Sequence, residues 1–313
     1  MRMRPLIAFT ALSVGSLAMA DETPKYDAAA IKTVPAAEVR LGFQRHGALA
    51  QYFLWNQRSE NDAATVDFAS DILDEAVTFK SSPQIHATHR ERAGTLPNSG
   101  YEAHDVKSTM VNVNADGTMV LTANVHYLNR SKLRHARFRG ADLTYKITMR
   151  PTETVLPKFT KIEIVHNRSI NTATFAPQYA ANRVKSLVYY WLALVDNPKR
   201  NAEPFKEIFC DDFSLNFSVG RLDTFQKFKS WYDRTAAQVT VSTHIINSLT
   251  YEEVAPHTYK VVADLDWQGI LPDGKIFIGR TIDTWTLIDN PTERFARIKS
   301  EDVNILIPFQ PKP

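Results

Sequence analysis

The sequence predicts an α+β protein made of two tandem units, in each of which three helices pack on a curled antiparallel sheet. The second half shows helical periodicity followed by four strand-like segments, and the first half repeats this order more faintly. AHDVKSTMVNVNADGTMVLTANVHY (residues 103–127) aligns with THIINSLTYEEVAPHTYKVVADLDW (residues 243–267), which pairs His104 with His244. Because helices and strands are segregated along each half, we expect helices to cover one face of a bent sheet.

The first 20 residues have the three parts of a secretory signal peptide. Arg2 and Arg4 form a charged start, residues 6–14 an apolar core, and AMA at 18–20 a small-x-small cleavage site. The apolar run is shorter than the roughly 20 residues needed to cross a bilayer, which argues against a membrane anchor. We therefore expect residues 1–20 to be removed and the mature protein to be exported, periplasmic or secreted, with no membrane span.

Charge and cysteine content exclude several kinds of partner and linkage. The chain has 37 Lys and Arg residues against 34 Asp and Glu, a net charge of +3, so nothing suggests nucleic acid as a partner. Cys210 is the only cysteine, which rules out an internal disulfide. His86 and His89 lack a nearby cysteine or a clear third ligand, so we expect no metal, and no other cofactor.

The second half begins with an amphipathic helix. In VKSLVYYWLALV (residues 184–195) apolar residues recur at intervals of three and four, and the Asn-Pro pair that follows ends the helix. EPFKEIF predicts a short second helix, FSLNF a strand, and RLDTFQKFKSWYDRTA a third helix. The four segments that follow are separated by turn residues at 255–256, 272–274 and 289–291, as in an antiparallel meander.

The first half gives the same order with weaker signals. Apolar residues mark two helices, a strand and four further strands between residues 49 and 165. RSINTATFAPQYAANR has no periodicity and indicates a connector. We therefore expect domains at residues 38–168 and 180–310, joined by a linker at 169–179.

Two segments of the second half carry a family resemblance. YYWLALVDNPKRNAEPFKEIFCDDFSLNF (residues 189–217) has the order helix, Asp, second helix, Asp and strand, and STHIINSL (residues 242–249) opens the meander. They resemble the nuclear-transport-factor-2-like (NTF2-like) superfamily and its SnoaL-like group. The resemblance implies two tandem cone-shaped domains, each with an apolar pocket for a small hydrophobic molecule. Because single-domain relatives dimerise through their sheets, it also implies an internal pseudo-dimer and a possible homodimer.

The resemblance also implies an acid–base pair in the second domain. In SnoaL-like dehydratases a helix aspartate orients a sheet histidine that removes a proton next to a carbonyl. Asp196 and His244 stand where that pair would stand. Trp191 occupies the place of a tyrosine in the family pattern, so the expected carbonyl-polarising hydroxyl is absent. In the first domain Asn56 aligns with Asp196, and because an amide cannot act as a base we expect that domain to be structural or ligand-binding.

Strand alternation separates the candidate acids on the sheet. In YKVVADLDW (residues 259–267) every second residue is apolar, which places Asp264 and Asp266 on the outer surface. Asp283 shares a strand face with Trp285 and is a candidate for the pocket. The expected pocket draws on both helices and sheet, with the residues Tyr190, Trp191, Trp231, Asp283, Trp285 and His104.

Two functions remain open at this point. The first is an exported protein that binds a small hydrophobic ligand in each cone without turnover, which the departure at Trp191 favours. The alternative is a lyase or isomerase, dehydratase-like or ketosteroid-isomerase-like, that uses the Asp196–His244 pair.

Overall fold

The computed structural model describes residues 27–61, 69–81, 100–131, 138–172 and 174–313. The predicted signal peptide, His86 and His89 lie outside these ranges. The described chain is a mixed α+β structure with two sheets. Within these ranges, no helix combines the length and apolarity that crossing a membrane requires.

The first sheet has five strands in the order β1-β5-β4-β3-β2. β1 lies parallel to β5, and the other neighbours are antiparallel. One long helix and one one-turn helix accompany it, while the one-turn helix Ala36–Val39 packs on the second sheet. The bounds are α1 Ala36–Val39, α2 Gly42–Ser59, α3 Ala69–Ile72, β1 Leu73–Ser81, β2 Gly100–Val113, β3 Met119–Ser131, β4 Phe138–Arg150 and β5 Lys158–Thr172.

The second sheet has six strands in the order β7-β6-β11-β10-β9-β8. Here β6 lies parallel to β11, while the remaining pairs are antiparallel. Two helices pack with this sheet. The bounds are α4 Tyr179–Val195, β6 Phe209–Phe217, β7 Gly220–Leu222, α5 Phe225–Gln238, β8 Val241–Ala255, β9 Thr258–Ile270, β10 Ile276–Ile288 and β11 Arg297–Pro311.

Several elements differ from the expectation drawn from the sequence. The short second helix of the second half is a 3₁₀ turn, Glu203–Glu207, and the hairpin strand β7 was not predicted because it has only three residues. β5 continues to Thr172, into the predicted linker, because its polar residues still pair with β4. A third helix of the first half would fall in residues 82–99, outside the described ranges.

The two sheets share an irregularity as well as a strand order. The register between β2 and β3 shifts between Val106 and Ser108, and the register between β8 and β9 shifts between Ile246 and Ser248. These are the positions that the sequence alignment pairs. A bulge bends the strand and strengthens its twist, so both meanders curl at the same point.

Helices α2 and α4 pack against each other and join the two halves in one hydrophobic core. Phe53 of α2 stacks on Tyr189 of α4 with ring centroids 5.6 Å apart and planes 4° from parallel. Both rings lie the same number of residues before the helix C-caps, Glu60 and Asp196. Equivalent positions therefore contact each other across the helix pair, as in a two-fold symmetric interface.

The outer face of β9 is covered by the chain that precedes α1. The backbone N–H of Lys32 donates to Oδ2 of Asp266 (2.9 Å), and that of Val34 donates to Oε1 of Gln268 (2.8 Å). Asp266 and Gln268 are fully buried as a result. The expectation that Asp266 lies on the surface is therefore wrong, because alternation identifies the face of a strand and not what covers it. Asp264, on the same face, remains partly exposed and pairs with Arg280.

Candidate active site

Asp196 and His244 are in direct contact. Asp196 is the C-cap of α4, and His244 lies near the start of β8. Oδ1 of Asp196 lies 2.9 Å from the ring Nδ1 of His244, and Oδ2 accepts the His244 backbone N–H at 3.0 Å. Ser242, two residues earlier on the same strand, donates its hydroxyl to Oδ1 at 2.8 Å. The carboxylate is completely buried, so these contacts hold the histidine ring in one orientation.

The charges of this pair stabilise each other. Burial by itself raises the pKa of Asp196, but His244 and His46 outweigh it and hold the pKa of this carboxyl well below its ordinary value. Burial lowers the pKa of the His244 imidazole, but Asp196 outweighs it and the pKa is raised. With Nδ1 held by the carboxylate, Nε2 is the ring nitrogen left for proton transfer.

His244 lies in the wall of a cavity of about 330 Å³ in the second half. Its side chain is 19% exposed, so the ring is accessible from this cavity although its carboxylate partner is not. A cavity of this size suits a small organic molecule. Seven of the 22 residues that line it are aromatic: Trp191, Phe217, Trp231, Tyr232, Trp267, Phe277 and Phe309.

Two carboxyl groups, Asp283 and Glu301, line the same cavity. Asp283 is 6% exposed and Glu301 1% exposed. Because Trp285 pairs with Glu301 and Asp283 with Val303, the two acids are diagonal neighbours on adjacent strands. Oδ1 of Asp283 and Oε2 of Glu301 have no hydrogen-bond partner within the described chain.

Burial and mutual repulsion keep this acidic pair from losing both protons. Burial raises the pKa of Asp283 to about 6, against smaller opposing effects of Thr281 and His244. Burial, followed by the neighbouring Asp283, raises the pKa of Glu301 well above its ordinary value. Two buried carboxyls that repel each other cannot both ionise readily, so the pair retains a proton near neutral pH.

The first half contains a matching pair, Glu60 and His104. Oε1 of Glu60 accepts the backbone N–H of His104 at 2.6 Å and lies 3.0 Å from its Nδ1. Asn182 of α4 donates to both carboxylate oxygens, at 3.1 and 3.0 Å. The alignment of Asn56 with Asp196 is therefore wrong: the counterpart is Glu60, one helical turn later, at the C-cap of α2. Residues one turn apart lie on the same face of a helix, so helix periodicity alone cannot distinguish Asn56 from Glu60.

The two pairs differ in accessibility. The side chains of His104 and Glu60 are 2% and 1% exposed, whereas His244 is 19% exposed. An imidazole that solvent and ligands cannot reach cannot exchange protons with a substrate. His104 therefore belongs to a sealed structural contact and not to a ligand pocket.

The remaining predicted pocket residues divide into two groups. Trp191, Trp231 and Asp283 line the cavity beside His244. Tyr190 stacks on Phe295 with ring centroids 4.4 Å apart and borders a different groove. Trp285 is buried in the core, with 2% of its surface exposed. Ser242, Glu301, Arg200 and His46 were missed. Ser242 could have been found, since it lies two residues from His244 on one strand face, whereas the other three carried no local signal.

Comparisons with known proteins give matches of fold only. No family model and no curated protein matches this chain. Similar solved structures include a type 2 hexachlorocyclohexane dehydrochlorinase (14% identity, TM-score 0.38), which covers 43% of this chain and 89% of that one. They also include a putative scytalone dehydratase from Novosphingobium aromaticivorans (8% identity, TM-score 0.37, 40% and 83% covered). An NTF2-like protein from Salmonella enterica follows (14% identity, TM-score 0.34, 38% and 84% covered).

Proposed function

We propose that the cavity of the second half is the active site of an acid–base enzyme acting on a small hydrophobic carbonyl compound. The observation that carries the proposal is the contact between Asp196 and His244 in the wall of an accessible aromatic cavity. A buried carboxylate that fixes an imidazole is the arrangement needed to remove a proton from carbon. The reaction class is lyase or isomerase.

The Asp196–His244 pair and the Asp283–Glu301 pair have different roles in the proposed reaction. Nε2 of His244 removes the proton next to the carbonyl, and Asp196 stabilises the imidazolium that forms. The electron pair of the broken C–H bond moves onto the carbonyl oxygen as an enolate. In a lyase the enolate expels a β-hydroxyl group, which leaves as water with the proton held by Asp283 and Glu301. In an isomerase a proton is instead returned at another carbon.

The first half has a supporting role in this proposal. We propose that the chain arose by duplication and forms an internal pseudo-dimer of NTF2-like units near residues 38–168 and 180–310. The shared strand order, the shared bulge and the stacking of Phe53 on Tyr189 support it. One copy then keeps an accessible acid–base pair, while the other keeps a sealed version of it.

Proton exchange from substrate carbon provides the direct test. The probe is the β-hydroxyketone formed from acetone and benzaldehyde, incubated with the protein in heavy water and followed by NMR. We expect the protein to exchange the protons between carbonyl and hydroxyl carbons and to release benzylideneacetone. His244→Gln should slow exchange at least about 100-fold, in line with the loss of a general base. His104→Gln, the matched change in the sealed pair, should leave exchange unchanged.

A binding protein without turnover is the second candidate. It is favoured by Trp191, which stands where the family pattern has a tyrosine and packs edge-on against Phe205 at 5.2 Å in the core. In that case the probe would shift the His244 ring signals on binding, yet no exchange above the rate in buffer would occur. Equal exchange by the wild type and His244→Gln would also refute the enzymatic proposal.

A further inference from the structure

Arg200 lies in the turn that follows α4, in a backbone conformation that residues other than glycine seldom adopt. Its φ is +46°, and its N–H donates to the carbonyl of Asn197 at 3.1 Å. Nη1 donates to the carbonyl of Val195 at 2.7 Å, which holds the side chain back against the end of α4. A left-handed conformation at a residue with a side chain is unfavourable, and such positions cluster at functional sites.

Arg200 is one of the residues that line the same cavity as His244. It sits against the ring of Tyr232, with Cζ 5.5 Å from the ring centroid. The Tyr232 hydroxyl donates to the carbonyl of Leu194 at 2.7 Å, so this ring is itself fixed. Arg200 is thus positioned from two sides, by a carbonyl and by an aromatic face.

Two donor atoms of this guanidinium have no acceptor. Nε and Nη2 are buried and make no hydrogen bond within the described part of the chain. A buried charged donor without a partner is unfavourable, and native proteins satisfy nearly all such groups. Nε and Nη2 lie on one edge of the guanidinium plane, the geometry that binds both oxygens of a carboxylate.

The acids of the cavity do not fill this role. Asp196 is occupied by Ser242 and His244, and Arg200 is not among the groups that shift the pKa of Asp283 or of Glu301. Arg200 does act on His244, whose pKa it lowers against the larger effect of Asp196. The unpaired edge of Arg200 is therefore within electrostatic range of the candidate base.

We propose that Arg200 binds a carboxylate on the ligand, so that the cavity selects small hydrophobic acids over their neutral analogues. This inference rests on the proposed function, because it concerns the same cavity. It narrows the proposed substrates to compounds that carry a carboxylate. His244, the Asp283–Glu301 pair and the aromatic side chains line the same cavity as Arg200, so the rest of the molecule would lie among them.

Isothermal titration calorimetry with phenylacetate and its neutral isostere phenylacetamide tests the proposal. Near neutral pH, we expect the wild type to bind phenylacetate at least about tenfold more tightly, as a charge-assisted bidentate contact provides. Arg200→Met should bring the two affinities within about threefold of each other, and Arg200→Lys should give an intermediate preference. The control is Arg294→Met, since Arg294 pairs with Glu207 away from this cavity and its loss should leave the preference intact.

Equal affinity of the two probes for the wild type, or binding of neither, would overturn the proposal. A preference that survives in Arg200→Met would overturn it as well. Circular dichroism of each variant establishes that it is folded. If Arg200→Met does not fold, the comparison of the wild type with Arg200→Lys still tests the proposal. Calorimetry detects binding without turnover, so a failure of the exchange experiment on His244 leaves this result interpretable, and the reverse also holds.

Discussion

Nδ1 of His46 lies 3.3 Å from Oδ2 of Asp196, so a helix of the first half contacts the acid of the second-half pair. The reverse contact also exists, because Asn182 of α4 donates to Glu60. Counted back from the two helix C-caps, His46 and Asn182 occupy the same position. Each half therefore supports the carboxylate of the other, and the candidate site is incomplete without the first half.

The contact predicts that His46 positions Asp196. His46→Asn, which copies the counterpart Asn182, should keep a donor to the carboxylate and leave the titration of His244 close to that of the wild type. His46→Leu removes the imidazole beside the carboxylate, so Asp196 acts more strongly on His244 and should raise its pKa further. The measurement is an NMR titration of the His244 ring carbons.

Asn182→Leu is the matched control for this titration. It removes the same contact at the sealed pair and should leave the titration of His244 unchanged. An identical His244 titration in the wild type and in His46→Leu would show that His46 does not position the acid.

The two acid–histidine pairs should separate stability from catalysis. Glu60→Gln weakens a buried, hydrogen-bonded carboxylate and should lower the free energy of unfolding by about 3 kcal/mol, the scale for breaking a buried ion pair. It should leave proton exchange from the probe unchanged. Asp196→Asn should lower both the free energy of unfolding and the rate of proton exchange, because His244 loses the group that orients it. Urea unfolding and the exchange assay measure the two effects, and a loss of exchange in Glu60→Gln would contradict the assignment.

Proton exchange should increase with pH as His244 loses its proton. Because Asp196 outweighs burial and raises the His244 pKa, the midpoint of the rise should lie above the ordinary histidine value of 6.5. In Asp196→Asn the stabilising carboxylate is gone, so the midpoint should move down while the plateau rate falls. The rate is measured from about pH 5 to pH 9 with the same probe. A midpoint that is unchanged in Asp196→Asn would assign the titration to another group.

The acidic pair should make the protein less stable as pH rises. The pKa of Asp283 is about 6 in the folded chain against an ordinary 3.8, so the folded state binds this proton more tightly. The stabilisation is complete below the unfolded pKa and is lost as pH rises through the folded one. Asp283→Asn removes this loss and should be more stable than the wild type above about pH 7, by up to about 3 kcal/mol, and about equal near pH 4.

Asp264→Asn is the control with the opposite sign. Burial raises the pKa of Asp264, but hydrogen bonds from Arg280 and Asn247 outweigh it and lower the pKa. This variant should therefore be less stable than the wild type at neutral pH, with a difference that shrinks in acid as the carboxyl takes up its proton. Thermal unfolding at several pH values compares the two variants. A constant effect of Asp283→Asn across pH would show that this carboxyl titrates normally in the folded protein.

Local pattern was sufficient to identify the residues on strands and helix ends. Alternation placed Asp283 on an inner strand face, and the end of the helix stripe placed Asp196 at the end of a helix. The pairing of Asp196 with His244 came from the family resemblance. The same patterns misplaced the first-half acid, because Asn56 and Glu60 are one turn apart and share a helix face. Glu301 carried no signal, since a charged residue on an apolar face is identified only by the strand beside it.

The sequence by itself determined the α+β class, the order of elements and the alignment of His104 with His244, because hydrophobic periodicity and turn residues are local properties of the chain. Tertiary structure alone decided that one of these histidines is sealed and the other accessible. It also decided that His46 reaches Asp196 and that Arg200, beside a cavity, has two buried donors without a partner in the described part of the chain. Burial and contact depend on which distant segments cover a residue, and a helix from one half can support an acid in the other only after both have folded.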